Sequence, residues 1–246
     1  MIRRVFSQSW GVFLLFAAWQ IYVDAMHFNS IVIVTPLAVL RDIASHPGVY
    51  LLPAAWTLGF ALAGLMGGLV IGLVLAVLTW TSKIFSGMVN PIALLLSSTP
   101  VVCLIPLLAR IFGYDSRTEF AIVVILTFFP AFVFASSGLR KLPPMSSELF
   151  AIFAASPAKH LWLLAIPAAV PNIATALRVC SAYSVLVTVV AEYLMQTGGL
   201  GDLFALMSEA FQTERAFGAS LLAMALSSAL YSAAGIVEAR IQARYS

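Results

Sequence analysis

The chain has 246 residues, 62% of them hydrophobic and only 9% charged, with a net charge of +3 at pH 7. A charged fraction so far below the roughly 25% of soluble domains excludes a soluble globular protein, and its scattered basic residues exclude a nucleic-acid-binding surface. The expected fold is all-α: a polytopic membrane protein with about six transmembrane helices, in one domain over residues 1–246.

In chain order the expected spans are 5–23, 54–80, 89–111, 120–139, 173–195 and 216–237. The first is weak, since Gln8 and Gln20 interrupt it. It follows Arg3 and Arg4 but precedes no good small-residue cleavage site, so an uncleaved span is expected rather than a signal peptide. The apolar stretch 31–40 is too short to span and contains Pro36, so it is assigned to the interface or to packing on the bundle. No charged residue falls between Ile43 and Lys83, which makes the second span unambiguous. Gly64, Gly68 and Gly72 recur on it every four residues, forming a smooth face for a close helix contact within the chain or across a dimer.

The third span carries Pro91, Pro100 and Pro106, with Ser97, Ser98 and Thr99 before the middle proline. Proline removes a backbone donor and bends the helix, and neighbouring hydroxyls satisfy the freed carbonyls. Such a bent, polar helix is either a packing device or one wall of a water-filled path. In the fifth span Arg178, Ser181, Ser184, Thr188 and Glu192 recur at steps of three or four, so they share a third of the helix circumference. A polar stripe facing lipid is costly, so this one faces protein or water. Two roles stand open for it, a structural network and the lining of a translocation path. Glu192 is the only acid inside an expected span.

Between the fourth and fifth spans lies a long connection, 140–172. Pro143 and Pro144 stop the preceding helix, Ser146 can cap a short helix with Glu148 in its first turn, and Leu149, Phe150, Ile152 and Phe153 give that helix an apolar face. Ala154 and Ala155 follow. Ser156 and Pro157 suit the cap and first position of a second short helix, which Pro167 and Pro171 are expected to end. The apolar elbow needs cover, either the membrane surface or a partner's groove. Counting Lys and Arg places Arg3, Arg4, Lys83, Arg140, Lys141, Lys159, Arg240 and Arg244 on one side, against Arg41, Arg117 and Arg215 on the other. The excess marks the cytoplasmic side, so the elbow and both termini are expected there.

Residues 148–167, ELFAIFAASPAKHLWLLAIP, resemble the cytoplasmic EAA loop of ABC-importer permeases. Glu148 matches that loop's Glu and Ile166-Pro167 its hydrophobic-Pro, while Leu149 and Phe150 replace its alanines and Ala154 its Gly. Alanine in a left-handed conformation costs ~1–2 kcal/mol, so the elbow here is expected to turn differently. An ordered set extends the likeness: Ala155-Ser156, Pro167 to Pro171, Ala176-Leu177-Arg178, Ala191 to Leu194 and Gly199-Leu200-Gly201 keep the spacing of nitrate/sulfonate/taurine-type permeases. Asn90-Pro91, Thr99-Pro100, Pro106 and Phe112-Gly113 also fit.

The resemblance implies a type I ABC-importer permease fold in the bacterial inner membrane. The subunit would form a homodimer with a second permease copy, dock a cytoplasmic ATPase dimer through residues 148–156, and receive solute from an extracytoplasmic substrate-binding protein. ATP and Mg would be held by the ATPase; no cofactor, metal or catalytic residue is expected in this chain. Consistent with that, no G-x-x-x-x-G-K-[ST] occurs, and Gly199-Leu200-Gly201 has the look of an external turn. The implied solute is small, an anion such as a sulfonate, taurine or nitrate, or a vitamin precursor. Two other classes fit less well. An ion-coupled secondary transporter would show repeated halves and intramembrane carboxylates. A membrane enzyme would place its acids and histidines together, whereas His27, His46 and His160 are all in connections. Cys103 and Cys180 fall within apolar runs and suit packing.

Overall fold

The computed structural model describes residues 2–26, 29, 33–142, 144–153 and 156–245, leaving aside the side chains of residues 2–9, 12, 97, 147, 149 and 151. Every element among them is a helix. Helix α1 (Ile2–Met26) holds the first expected span, of which Phe13–Met26 is the apolar part. Helix α2 (Pro36–Ser45) starts where the sequence suggested a break. Thr35 accepts the Ala38 N–H at 3.3 Å, and Pro36 sits in the first turn, where a missing donor is harmless. It packs on the bundle through Val39 and Asp42.

Helix α3 (Pro47–Thr81) is 35 residues long, about 50 Å at 1.5 Å per residue and well beyond the hydrocarbon thickness. Its glycine face meets α6 (Ser116–Arg140) of the same chain. A Cβ on Gly68 would lie 2.7 Å from the Thr127 Cβ, and one on Gly72 2.8 Å from the Ala131 Cβ. The four-residue glycine repeat is therefore an intrachain seam, which lets two backbones approach where hydrophobic driving force is absent.

The third expected span is two helices. Helix α4 (Lys83–Ser98) and helix α5 (Val101–Phe112) meet at 107°, as a broken span or a re-entrant pair. Pro100 forces the preceding residue out of helical conformation, and Thr99 (ψ 126°) is extended. Asp115 caps α6 by accepting the Thr118 N–H at 2.8 Å.

After the short helix α7 (Ser146–Ile152), α8 (Pro157–His160) runs through a π turn at Leu161–Ala165 into α9 (Ile166–Met195). The expected stop at Pro167 and Pro171 does not occur. The wide turn, closed by the Ile166 N–H on Leu161 O, absorbs an extra residue just before the prolines, and Pro167 then falls in the first turn of α9. Helix α10 (Gly199–Glu209) replaces the turn expected at Gly199-Leu200-Gly201; Gly198 (φ 104°) and Gly199 (φ 83°) reverse the chain into it. Helix α11 (Thr213–Tyr245) closes the bundle against α9 and α10.

Among the described residues, four helical stretches are long and apolar enough to cross a membrane: Pro47–Thr81, Ser116–Arg140, Pro157–Met195 and Thr213–Tyr245. The α4–α5 pair adds a fifth if it is one span.

Candidate functional site

The stripe on α9 is built as a chain of hydroxyls that close on their own helix. Ser181 donates to Arg178 O at 2.7 Å, Ser184 to Ser181 O at 3.0 Å and Thr188 to Ser184 O at 2.8 Å. All three residues are buried. Back-bonding of this kind satisfies a hydroxyl without any partner helix, so small polar residues pack here at no desolvation penalty.

At the two ends of the stripe the charges are tied to other helices. Arg178 donates to Glu238 of α11 at 2.9 Å and lies 4.3 Å from the Tyr231 ring centroid. Thr175 gives Glu238 a second hydrogen bond at 2.6 Å. At the other end Glu192 accepts from the Thr57 hydroxyl of α3 and from the Gly201 N–H of α10. Glu192 is not the only acid within a spanning helix: Glu119 and Glu238, expected just outside their spans, are both inside long helices and buried. The expected boundaries at residues 120 and 237 fell one position short of them, and only the packed structure shows which way such an end residue points.

The hydroxyls before Pro100 do not join the α9 stripe. Ser98 and Thr99 both donate to Leu95 O, at 3.0 and 2.9 Å, and so finish the last turn of α4. The Ser97 side chain lies outside the described residues. Thr99 instead borders a cleft of about 250 Å³ shared with Leu126 and Phe129 of α6 and with Val179 and Tyr183 of α9. Tyr183 thus faces a cavity that the stripe does not.

On the elbow, Ile152 and Phe153 are 77% and 79% exposed. Phe150 differs from the expected single apolar face: it turns inward, its ring 5.5 Å from His160, which is 5.5 Å from Trp80 at the end of α3. Aromatic contacts at that spacing are worth roughly 1 kcal/mol each beyond area burial. The elbow is therefore anchored to a spanning helix through Phe150. Glu148 is exposed in the first turn of α7, and Ser156 caps α8 by accepting the Lys159 N–H at 3.4 Å, as the sequence suggested. Ala154 and Ala155 lie outside the described residues, as does the side chain of Leu149.

On the side of Asp115, Asp202 opens α10, and burial pushes its carboxyl above the ordinary carboxylate range against an opposing Gly198 N–H. It borders a second cleft with Trp56, Gly198 and Gly199.

Residues 68–244 match the family described as the binding-protein-dependent transport system inner membrane component. The chain belongs to this family. The permease is 29% identical over 221 residues to a probable ABC transporter permease protein of Haemophilus influenzae, covering 90% of this chain and 89% of that one. It is 29% identical to the formylaminopyrimidine transport permease of Halalkalibacterium halodurans (66% and 65% covered) and 25% identical to the taurine transport system permease of Escherichia coli (61% and 54% covered). Its fold superimposes on the methionine ABC transporter MetNI in an inward-facing conformation with a TM-score of 0.65 at 18% identity, covering 75% of this chain and 92% of that one. An amino acid ABC transporter with histidines gives 0.66 at 15%, covering 83% and 97%. The chain is an all-helical permease component of an ABC importer and not an enzyme; ATP hydrolysis in such importers belongs to a separate subunit.

Proposed function

We propose that two copies of this permease enclose the translocation path of an ATP-driven importer, with both termini and the elbow cytoplasmic. An ATPase dimer, holding ATP and Mg, docks on residues 146–160, and a substrate-binding protein delivers solute to the opposite face. The observation that supports this is the pairing of an exposed apolar tip, Ile152 and Phe153, with a rigid root, Phe150 on His160 on Trp80. A tip that is exposed yet firmly mounted suits a helix seated in a partner's groove, and its root transmits force to α3. The solute is small, in the range of the aliphatic sulfonates, taurine, nitrate and formylaminopyrimidine that relatives are named for.

Reconstitution in proteoliposomes with the ATPase and binding protein tests the proposal. Uptake should require ATP and survive collapse of the proton gradient. Uptake driven by the gradient without ATP would refute it.

A further inference from the structure

The cleft at the α4–α5 break has an unusual balance of hydrogen-bonding groups for a membrane-embedded cavity. Thr99 spends its only hydroxyl proton on Leu95 O, so toward the cleft its oxygen can only accept. Pro130 lies inside α6 and lacks the N–H that would close on Leu126 O, which leaves a second acceptor on the wall. The Tyr183 phenol, not engaged elsewhere among the described residues, can donate or accept. Val101, at the first position of α5, contributes one backbone N–H that has no partner within its helix, whereas those of Cys103 and Leu104 close on Pro100 O. The rings of Phe129 and Tyr183 supply flat apolar surface. No charged side chain borders the cleft, and the nearest cation on α9, Arg178, is neutralised by Glu238 at 2.9 Å.

We propose that this cleft is a binding site within the translocation path for an uncharged, planar, hydrogen-bonding ring such as an aminopyrimidine, and not for a sulfonate or nitrate. The inference rests on the importer proposed above and narrows its solute. An exocyclic amine supplies the donors that Thr99 and Leu126 lack, ring nitrogens take the donors of Tyr183 and the α5 start, and the ring stacks on the aromatic side chains. A sulfonate group or nitrate has acceptors only, and the ammonium of taurine would carry a second charge into the cleft. Such an anion would meet Thr99 and Leu126 oxygens with no cation to offset its lost hydration, and that penalty is large in a low-dielectric site. The volume, about 250 Å³, lies just under the usual range for drug-sized ligands and suits a single ring.

The test uses the permease–ATPase complex in nanodiscs, without the binding protein, so that any selectivity belongs to the membrane domain. On a Cys103→Ser background, Val179→Cys on the cleft wall is labelled with a small maleimide, and Leu96→Cys on the facing wall repeats the measurement independently. A hydroxymethyl aminopyrimidine should slow labelling at both positions, whereas taurine and nitrate at equal concentration should not. Tyr183→Phe should raise the half-protecting concentration roughly fivefold, the worth of one hydrogen bond. Pro130→Ala restores the N–H for Leu126 O and should raise it by a similar factor, although it removes no polar side chain. Protection by taurine or nitrate at or below the aminopyrimidine concentration overturns the proposal in favour of an anion site at the α5 start. No protection by any of the three overturns it in favour of a lipid-filled notch. ATP-dependent uptake in the proteoliposomes with ATPase and binding protein separates the two levels: uptake with failed protection removes only the cleft, while uptake that ignores ATP removes the importer.

Discussion

Glu192 and Thr57 lie 135 positions apart, and their side chains meet at 2.8 Å in the buried centre of three helices. The Thr57 hydroxyl donates to the carboxyl and accepts the Leu200 N–H at 2.8 Å, while Gly201 N–H reaches the same carboxyl at 2.9 Å. One threonine thus links α3, α9 and α10. Thr57→Val keeps the shape, removes the donor and orphans the Leu200 N–H. It should cost about 1–3 kcal/mol, the usual price of a buried unsatisfied group, seen as a lower melting temperature of the purified permease. Gly201→Ala should be worse, since the added Cβ would strike the Val189 carbonyl. A Thr57→Val protein as stable as the parent would show that the node carries no load.

The Arg178–Glu238 pair should behave as a partly buried bridge, with Glu238 8% exposed and Arg178 38%. Removing one charge strands the other, so Arg178→Met and Glu238→Leu should each destabilise more than the double substitution does. The exposure of Arg178 limits the expected coupling to about 1 kcal/mol, read from a double-mutant cycle of thermal unfolding. Strict additivity would sever the link between α9 and α11.

Asp115 accepts the Thr118 N–H at the start of α6, and that hydrogen bond holds its carboxyl below the ordinary carboxylate range. A depressed carboxyl contributes stability that is complete above its unfolded value, near 3.9, and is lost as pH falls through the lower folded value. Hydrogen exchange at residues 116–119 should therefore be slow near neutrality in the parent and faster in Asp115→Ala, with the difference closing only in strong acid. Equal exchange at neutral pH would show that the cap does not hold the helix.

The spans were legible because length and apolarity alone decide them; the breaks were not. Pro36 and Pro167 were expected to interrupt helices and instead begin them, because proline at a first turn loses nothing. Pro100 did break its helix, but the 107° angle depends on what packs around it. The α9 stripe was visible from its spacing. Its satisfaction by its own backbone was not, since a serine pattern is the same whether the hydroxyl bonds back or faces water. Tyr183, off the stripe, faces the cleft, and periodicity gave no reason to choose it.

Orientation follows from the Lys and Arg count and has a direct test. Reporters fused after Lys83 and Lys141 should be cytoplasmic, and those at Asp115 and Asp202 external. The structure adds a constraint, because α4 and α5 must either cross once between Lys83 and Asp115 or return to the same side as a re-entrant pair. Because α6 and α9 both cross between them, Asp115 and Asp202 share a side in either case. A Lys83 signal on that same side, with Lys141 opposite, would select the re-entrant arrangement. External signals at Lys83 and Lys141 with cytoplasmic ones at Asp115 and Asp202 would invert the proposed orientation.

The elbow separates two roles that its sequence merges. Phe153 is exposed, so Phe153→Ala should leave the isolated permease as stable as the parent and weaken ATPase association by ~2 kcal/mol, roughly 30-fold, as expected for an aromatic hot spot. Glu148→Ala should act in the same direction more weakly, since its charge is solvated. Phe150→Ala removes the ring that stacks on His160, so it should loosen the elbow itself. ATPase docking would then fall together with faster proteolysis or hydrogen exchange across residues 146–160. Co-purification of the ATPase with each variant, alongside exchange on the permease alone, resolves the two. Normal complex and transport in a Glu148→Ala/Phe153→Ala protein would remove the tip from the mechanism. An unchanged exchange pattern in Phe150→Ala would remove the root.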